Sequence, residues 1–236
     1  MLSLIVTVVL LLWLPGVAAA FVRECLACAA QPHALQWVAV GLAAYLPLHL
    51  LAVRRWHGLL TFEHELTHAL FGLLFLRRIR SFVATSRAGG QVVHEGGFGG
   101  KVGDVAISMA PYVFPTFSVA LVLLRPLFTA DARIFVDVAI GLTLGFHTLT
   151  TLGETWEAFR YRRFVGVDGR ETVSDVARHG VLFSAVYIAF FALLYHGLLL
   201  AILAGGYGEA WEFLKAGALL GFEYAARLIS WTWSVV

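Results

Sequence analysis

The amino-acid sequence predicts an all-α polytopic membrane protein of six to seven transmembrane helices, with a short β-hairpin after the third. Three observations lead there. Of the 236 residues, 60% are hydrophobic and 14% are charged, where soluble domains carry about 45–50% and about 25%. The apolar residues fall in blocks near the ~20 residues that cross a hydrocarbon core. One Gly-rich polar interval interrupts those blocks with strand–turn–strand patterning. The net charge of +2 is small and the basic residues sit in loops, which argues against a nucleic-acid partner.

The first apolar block, residues 1–22, contains Pro15-Gly16 and the small triplet Ala18-Ala19-Ala20. It looks signal-like but lacks a basic amino-terminal region, so a retained helix fits equally well. Cys25 and Cys28 follow as a lone CxxC. Without further ligands or a βαβ context it is a weak redox or metal motif, and it reads as a pair of small apolar residues near the membrane surface. The second block, 35–53, includes Trp37 and closes at Arg54-Arg55. The third, 57–76, ends at Arg77-Arg78.

The hairpin is expected next: a strand over 79–85, a turn at Arg87-Ala88-Gly89-Gly90, and a return strand beginning Gln91-Val92-Val93-His94. A fourth block, 105–124, contains Pro111 and Pro115, which should kink or interrupt it. The fifth is 134–152, and a charged loop over 154–178 leads to the sixth, 181–203. In the tail, 208–236, Glu209, Glu212, Glu223 and Arg227 fall on one stripe of a helix with Lys215 at its edge. Such an amphipathic helix, with Trp231 and Trp233 near its end, can span the membrane with the stripe turned into the bundle, but better suits the membrane surface or a partner interface. No internal repeat or long linker divides the chain, which reads as one integral membrane domain over 1–236.

Ten of the seventeen Lys and Arg residues lie in two loops: Arg77, Arg78, Arg80, Arg87 and Lys101, then Arg160, Arg162, Arg163, Arg170 and Arg178. Alternating spans put both loops on one side, and the positive-inside tendency makes that side cytoplasmic.

Chemistry concentrates in the third block. His64 and His68 are four apart, so on a helix they project from nearly one face and can reach one metal ion. Glu65 lies between them, placed to act as a general base on water, which is the logic of an HExxH motif. Glu63 adds a fourth ionisable group to an apolar helix, where such groups are expensive and usually functional. A catalytic metal needs a third protein ligand. His147 lies deep in the fifth block; Asp175 opens the sixth. Each has a plain alternative, a core histidine and a helix-start acid respectively, and the sequence holds them level. Asp137 and Glu154 rank below.

With these residues in view the chain resembles the site-2 protease group of intramembrane zinc metallopeptidases, the M50 peptidases. The resemblance covers roughly 56–190 and rests on His64-Glu65-Leu66-Thr67-His68, the Gly-rich hairpin and Ala110-Pro111-Tyr112. It implies a Zn²⁺ ion held by His64 and His68, with Glu65 activating water to cut a membrane-anchored protein. It also implies that the hairpin edge, Gly90, Gln91, Val92 and Val93, pairs with an unwound substrate strand. Such a protein would be a multi-pass component of a bacterial cytoplasmic membrane, with an accessory membrane protein as a further expected partner. One departure stands out. The family takes its third ligand from an Asp-Gly motif near an Asn-Pro pair, but this chain has no Asn and a single Asp-Gly, Asp168-Gly169, in the charged loop. The other reading is therefore a catalytically inactive relative serving as a subunit or scaffold in a larger complex.

Overall fold

Long runs of Leu, Val and Ala wind into α-helices because in lipid every backbone polar group must be bonded within its own segment. The computed structural model describes residues 2–52, 57–86, 89–161, 163–165 and 171–235. Arg54, Arg55, Trp56, Arg87, Ala88, Arg162, Asp168-Gly169 and Arg170 lie outside the described residues, as does the side chain of Trp233. The chain forms two compact units, residues 1–36 with 185–236, and residues 37–184.

In the first unit α1 (Leu2–Ala30) runs unbroken past Pro15. Cys25 and Cys28 therefore sit in its last turns. Both thiols are free, and the Cys28 Sγ lies 3.8 Å from Glu24 Oε1. The helices α8 (Val181–Gly205) and α9 (Tyr207–Val235) complete this unit. The tail helix packs along α1. Its Ala210, Phe213, Gly217 and Gly221 are buried, and a Cβ on Gly16 of α1 would come within 2.7 Å of the Gly217 carbonyl oxygen. Small residues let the two backbones approach closely, as in small-xxx-small helix pairs. The charged stripe stays exposed on the opposite face, with Lys215 Nζ 2.6 Å from Glu212 Oε1.

The second unit holds α2 (Pro32–Ala52) from Trp37 onward, α3 (His57–Leu74) and the strands β1 (Arg78–Ala84) and β2 (Gly90–Glu95). The strands pair antiparallel, Ala84 with Gly90 and Phe82 with Val92, with a bulge between Ile79 and Ser81. Arg80 forms an ion pair with Glu95 across them. Next come α4 (Gly100–Met109), a 3₁₀ turn at Ala110–Tyr112 and α5 (Thr116–Leu124). The chain bends by 86° between these helices, where Pro111 and Pro115 remove backbone donors. Then α6 (Ala130–Arg160), β3 (Arg163–Val165), β4 (Glu171–Val173) and the short α7 (Asp175–His179) lead into α8. Gly41 of α2 and Gly141 of α6 meet backbone to backbone, Gly41 against Val138 and Gly141 against Val38.

Among the described residues four helices are long and apolar enough to cross a membrane, α1, α2, α6 and α8, or five if the bent α4–α5 pair is one span. The chain therefore reads as an integral membrane protein. The difference from six to seven has a compositional cause. The motif histidines and glutamates lower the hydropathy of α3, and five charged residues do the same for α9.

A candidate metal centre on α3

The face of α3 that carries His64 and His68 turns into the second unit, with ring centroids 4.9 Å apart. Helical spacing alone brings them together. Both rings are then anchored through Nδ1. That of His68 lies 2.8 Å from the Ile107 carbonyl oxygen of α4, and that of His64 lies 3.1 Å from Glu154 Oε2 of α6. The edge of Tyr112 packs on His64 at 5.6 Å between centroids. Each ring is left with Nε2 for other work.

Asp175 completes the cluster. Its Oδ2 lies 3.9 Å from His68 Nε2, and one ligand atom from each of His64, His68 and Asp175 lies within 4.8 Å of the others. A short helix carries it there. Ser174 caps α7 by accepting the Ala177 N–H at 3.3 Å, and its hydroxyl donates to the Ala158 carbonyl at 3.3 Å. Ser108 Oγ of α4 contacts His179 Nε2 at 2.6 Å, and the Ser184 hydroxyl donates to the Val176 carbonyl. Both ends of α7 are thus fastened, so Asp175 faces the histidines from a fixed platform. Arg178 also approaches its Oδ1, at 3.5 Å.

His147 goes elsewhere. Its Nδ1 is 3.7 Å from Glu63 Oε1 and 3.5 Å from Thr151 Oγ1, deep inside the bundle. These residues line a narrow polar cleft together with His64, Thr67 and Glu154. Asp137 is taken by Arg125, at 2.6 and 3.0 Å. Of the four third-ligand candidates, only Asp175 joins both histidines in a three-ligand group among the described residues.

Glu65 is 6% exposed, and its Oε2 is buried without a hydrogen-bond partner. Burying such an oxygen unpaired costs free energy unless a further group engages it. The first residue of β2 lies against it: a Cβ on Gly90 would come within 2.6 Å of Glu65 Oε1. Gly90 therefore lets the hairpin lie flush on the carboxylate. Further along the same strand, His94 sits over Gly72 of α3, where no Cβ intervenes. Both its ring nitrogens are buried without hydrogen-bond partners, and burial, then the Arg77 charge, lowers its pKa. Of the hairpin residues expected to meet a substrate, Gly90 is the one beside the general-base candidate; Gln91 and Val93 point to the exposed side.

The residues fit a zinc ion on chemical grounds. Two imidazoles and one carboxylate are a donor set typical of a catalytic site with an open position, and outer-shell acceptors on the other ring nitrogen are its usual support. Glu154 and the Ile107 carbonyl as such supports are what sequence reasoning missed.

A family model described as Peptidase M50B-like matches residues 34–152, half of the chain. No curated protein and no solved structure matches it. The matched stretch contains His64, Glu65, His68 and His147, but neither Glu154 nor Asp175.

Proposed function

The chain belongs to the Peptidase M50B-like family, and from that premise we propose that it is an intramembrane zinc metalloendopeptidase. The observation that carries this reading is the convergence of His64, His68 and Asp175 on one point, with the buried, unpaired Glu65 carboxylate on the same helix, one residue after His64. Its substrate is a membrane-anchored protein, and its setting is a bacterial cytoplasmic membrane with α3 inside the bilayer. Lipid and an accessory membrane protein are its other partners.

His64 and His68 hold the metal from one helix face, and Asp175 holds it from α7. A zinc ion held there would supply Lewis acidity to the scissile carbonyl and to water. Glu65 takes the proton from the attacking water and returns it to the leaving amine. The edge at Gly90, Gln91, Val92 and Val93 pairs with the extended substrate segment, and contact of Gly90 with Glu65 puts that segment beside the base. The surrounding helices keep bulk water out except along the polar cleft at Glu63, His147 and Thr151.

The missing Asn-Pro and the displaced Asp-Gly support a second reading, a subunit without catalysis. One experiment separates the two: Glu65→Gln beside wild type in proteoliposomes with a single-span reporter protein. We expect about one zinc per chain in both and cleavage by wild type alone. A variant that still cuts would end the general-base mechanism. Zinc-loaded wild type that cuts no single-span substrate would favour the scaffold.

A further inference from the structure

We propose that Glu154 is a positioning residue for His64: its carboxylate accepts the Nδ1 hydrogen and so presents Nε2 toward His68 and Asp175. The inference rests on the metal-site reading above and deepens it.

Three observations carry it. The contact is a hydrogen bond at 3.1 Å between residues far apart in sequence, on α3 and α6. The second histidine is held through the same ring nitrogen by a different acceptor, the Ile107 carbonyl at 2.8 Å, so both rings use Nδ1 for support and keep Nε2 for the ligand set. Four residues after Glu154, on the next turn of α6, the Ala158 carbonyl accepts from Ser174, the cap of the helix that begins with Asp175. One stretch of α6 thus holds His64 directly and Asp175 through its cap.

An imidazole carries its proton on either nitrogen, and a metal requires the bare one. An acceptor at Nδ1 settles that choice, fixes the ring plane and raises the basicity of Nε2. A carboxylate does this more strongly than a carbonyl, because a charge-assisted hydrogen bond is roughly twice as strong as a neutral one. Glu154 is not itself in the three-ligand group, which closes with Asp175. Tyr112 packs on the same ring edge-on, leaving Glu154 as its polar partner.

The test is a zinc titration of the full-length protein in detergent, stripped of metal and set in competition with a chromophoric chelator. Glu154→Met keeps the length of the side chain and removes the acceptor; Glu154→Gln restores an uncharged acceptor. We expect Glu154→Met to bind zinc about 10–100-fold more weakly than wild type, the range for outer-shell partners, and Glu154→Gln to recover part of that loss. His64→Ala, as reference, should lose the site.

If Glu154→Met binds as tightly as wild type while His64→Ala does not, the positioning role is overturned and the metal site stands. If Met and Gln lose zinc equally, Glu154 acts by charge or as a ligand, and the inference also fails. A wild type that takes up no zinc overturns the functional reading and this inference together. Should Glu154→Met fail to fold, Glu154→Ala takes its place under the same criteria. The visible spectrum of the Co²⁺-loaded Glu154→Gln protein then reports His64 orientation independently of stability.

Discussion

At the scale of single residues the competition between Asp175 and His147 decides the site. Both looked equally able to supply a third ligand, and the fold separates them: Asp175 faces His68 Nε2, whereas His147 faces Glu63. Asp175→Ala is therefore expected to lower zinc affinity by well over the roughly 10–100-fold that an outer-shell partner carries. His147→Ala should keep zinc but lose stability, because it removes a buried side chain packed beside the Glu63 carboxyl and opens a cavity in the bundle. Metal analysis and thermal unfolding of the two purified variants check this, and zinc lost from His147→Ala alone would reverse the assignment. The first two ligand candidates were legible because helical spacing is local: residues four apart share a face whatever surrounds them. The third was not, since α7 reaches the histidines only after α6 and a second pair of strands. The Ile107 carbonyl could not be found at all, because side-chain identity says nothing of where a backbone oxygen points.

Elements show a similar division between what hydropathy reports and what helices do. The apolar block ending at Leu152 marks where lipid-compatible sequence stops, yet α6 continues to Arg160. Glu154, Glu157, Ala158 and Arg160 are good helix formers that need no membrane. That extension brings Glu154 to His64 and Ala158 to Ser174. The break between α4 and α5 was legible, since two prolines four apart forbid a straight helix. The close packing of α9 on α1 was not, because its glycines were overshadowed by the charged stripe. The five-residue α7 is too short to be stable alone, so its cap matters more than usual. Ser174→Ala is expected to destabilise the zinc-free protein by about 1 kcal/mol, the usual worth of such a cap, and to weaken zinc binding through Asp175. Ser174→Thr should retain both. Thermal midpoints with and without chelator measure the two effects, and identical behaviour of the Ala and Thr variants would remove the cap from the account.

For the molecule as a whole, the bent α4–α5 pair decides the topology, because it is either a broken crossing or a loop that returns to its own side. The two helices are bent by 86°, and the basic clusters on either side of them distinguish the alternatives. His68 meets Ile107 while Phe75 lies by Gly103, so α4 runs antiparallel to α3 from the hairpin side. Ser118 meets Thr143 while Arg125 meets Asp137, so α5 and α6 are antiparallel to each other. Glu63 faces His147 and His64 faces Glu154, so one turn of α3 meets two turns of α6. If α4–α5 crosses, α6 returns toward the hairpin and places Arg160 and Arg163 on the same side as Arg77, Arg78 and Arg80. That arrangement also satisfies the charge bias expected of a cytoplasmic face. A re-entrant loop would instead put the two basic clusters on opposite sides. Single cysteines in a Cys25→Ser/Cys28→Ser background distinguish the two. Ser86→Cys in the hairpin and Arg163→Cys beyond α6 should react with a membrane-impermeant maleimide from the same, cytoplasmic side. Asp131→Cys, at the start of α6, should react only from the other side. If Asp131→Cys labels with Ser86→Cys and Arg163→Cys does not, the bent pair is re-entrant and the positive-inside assignment falls with it.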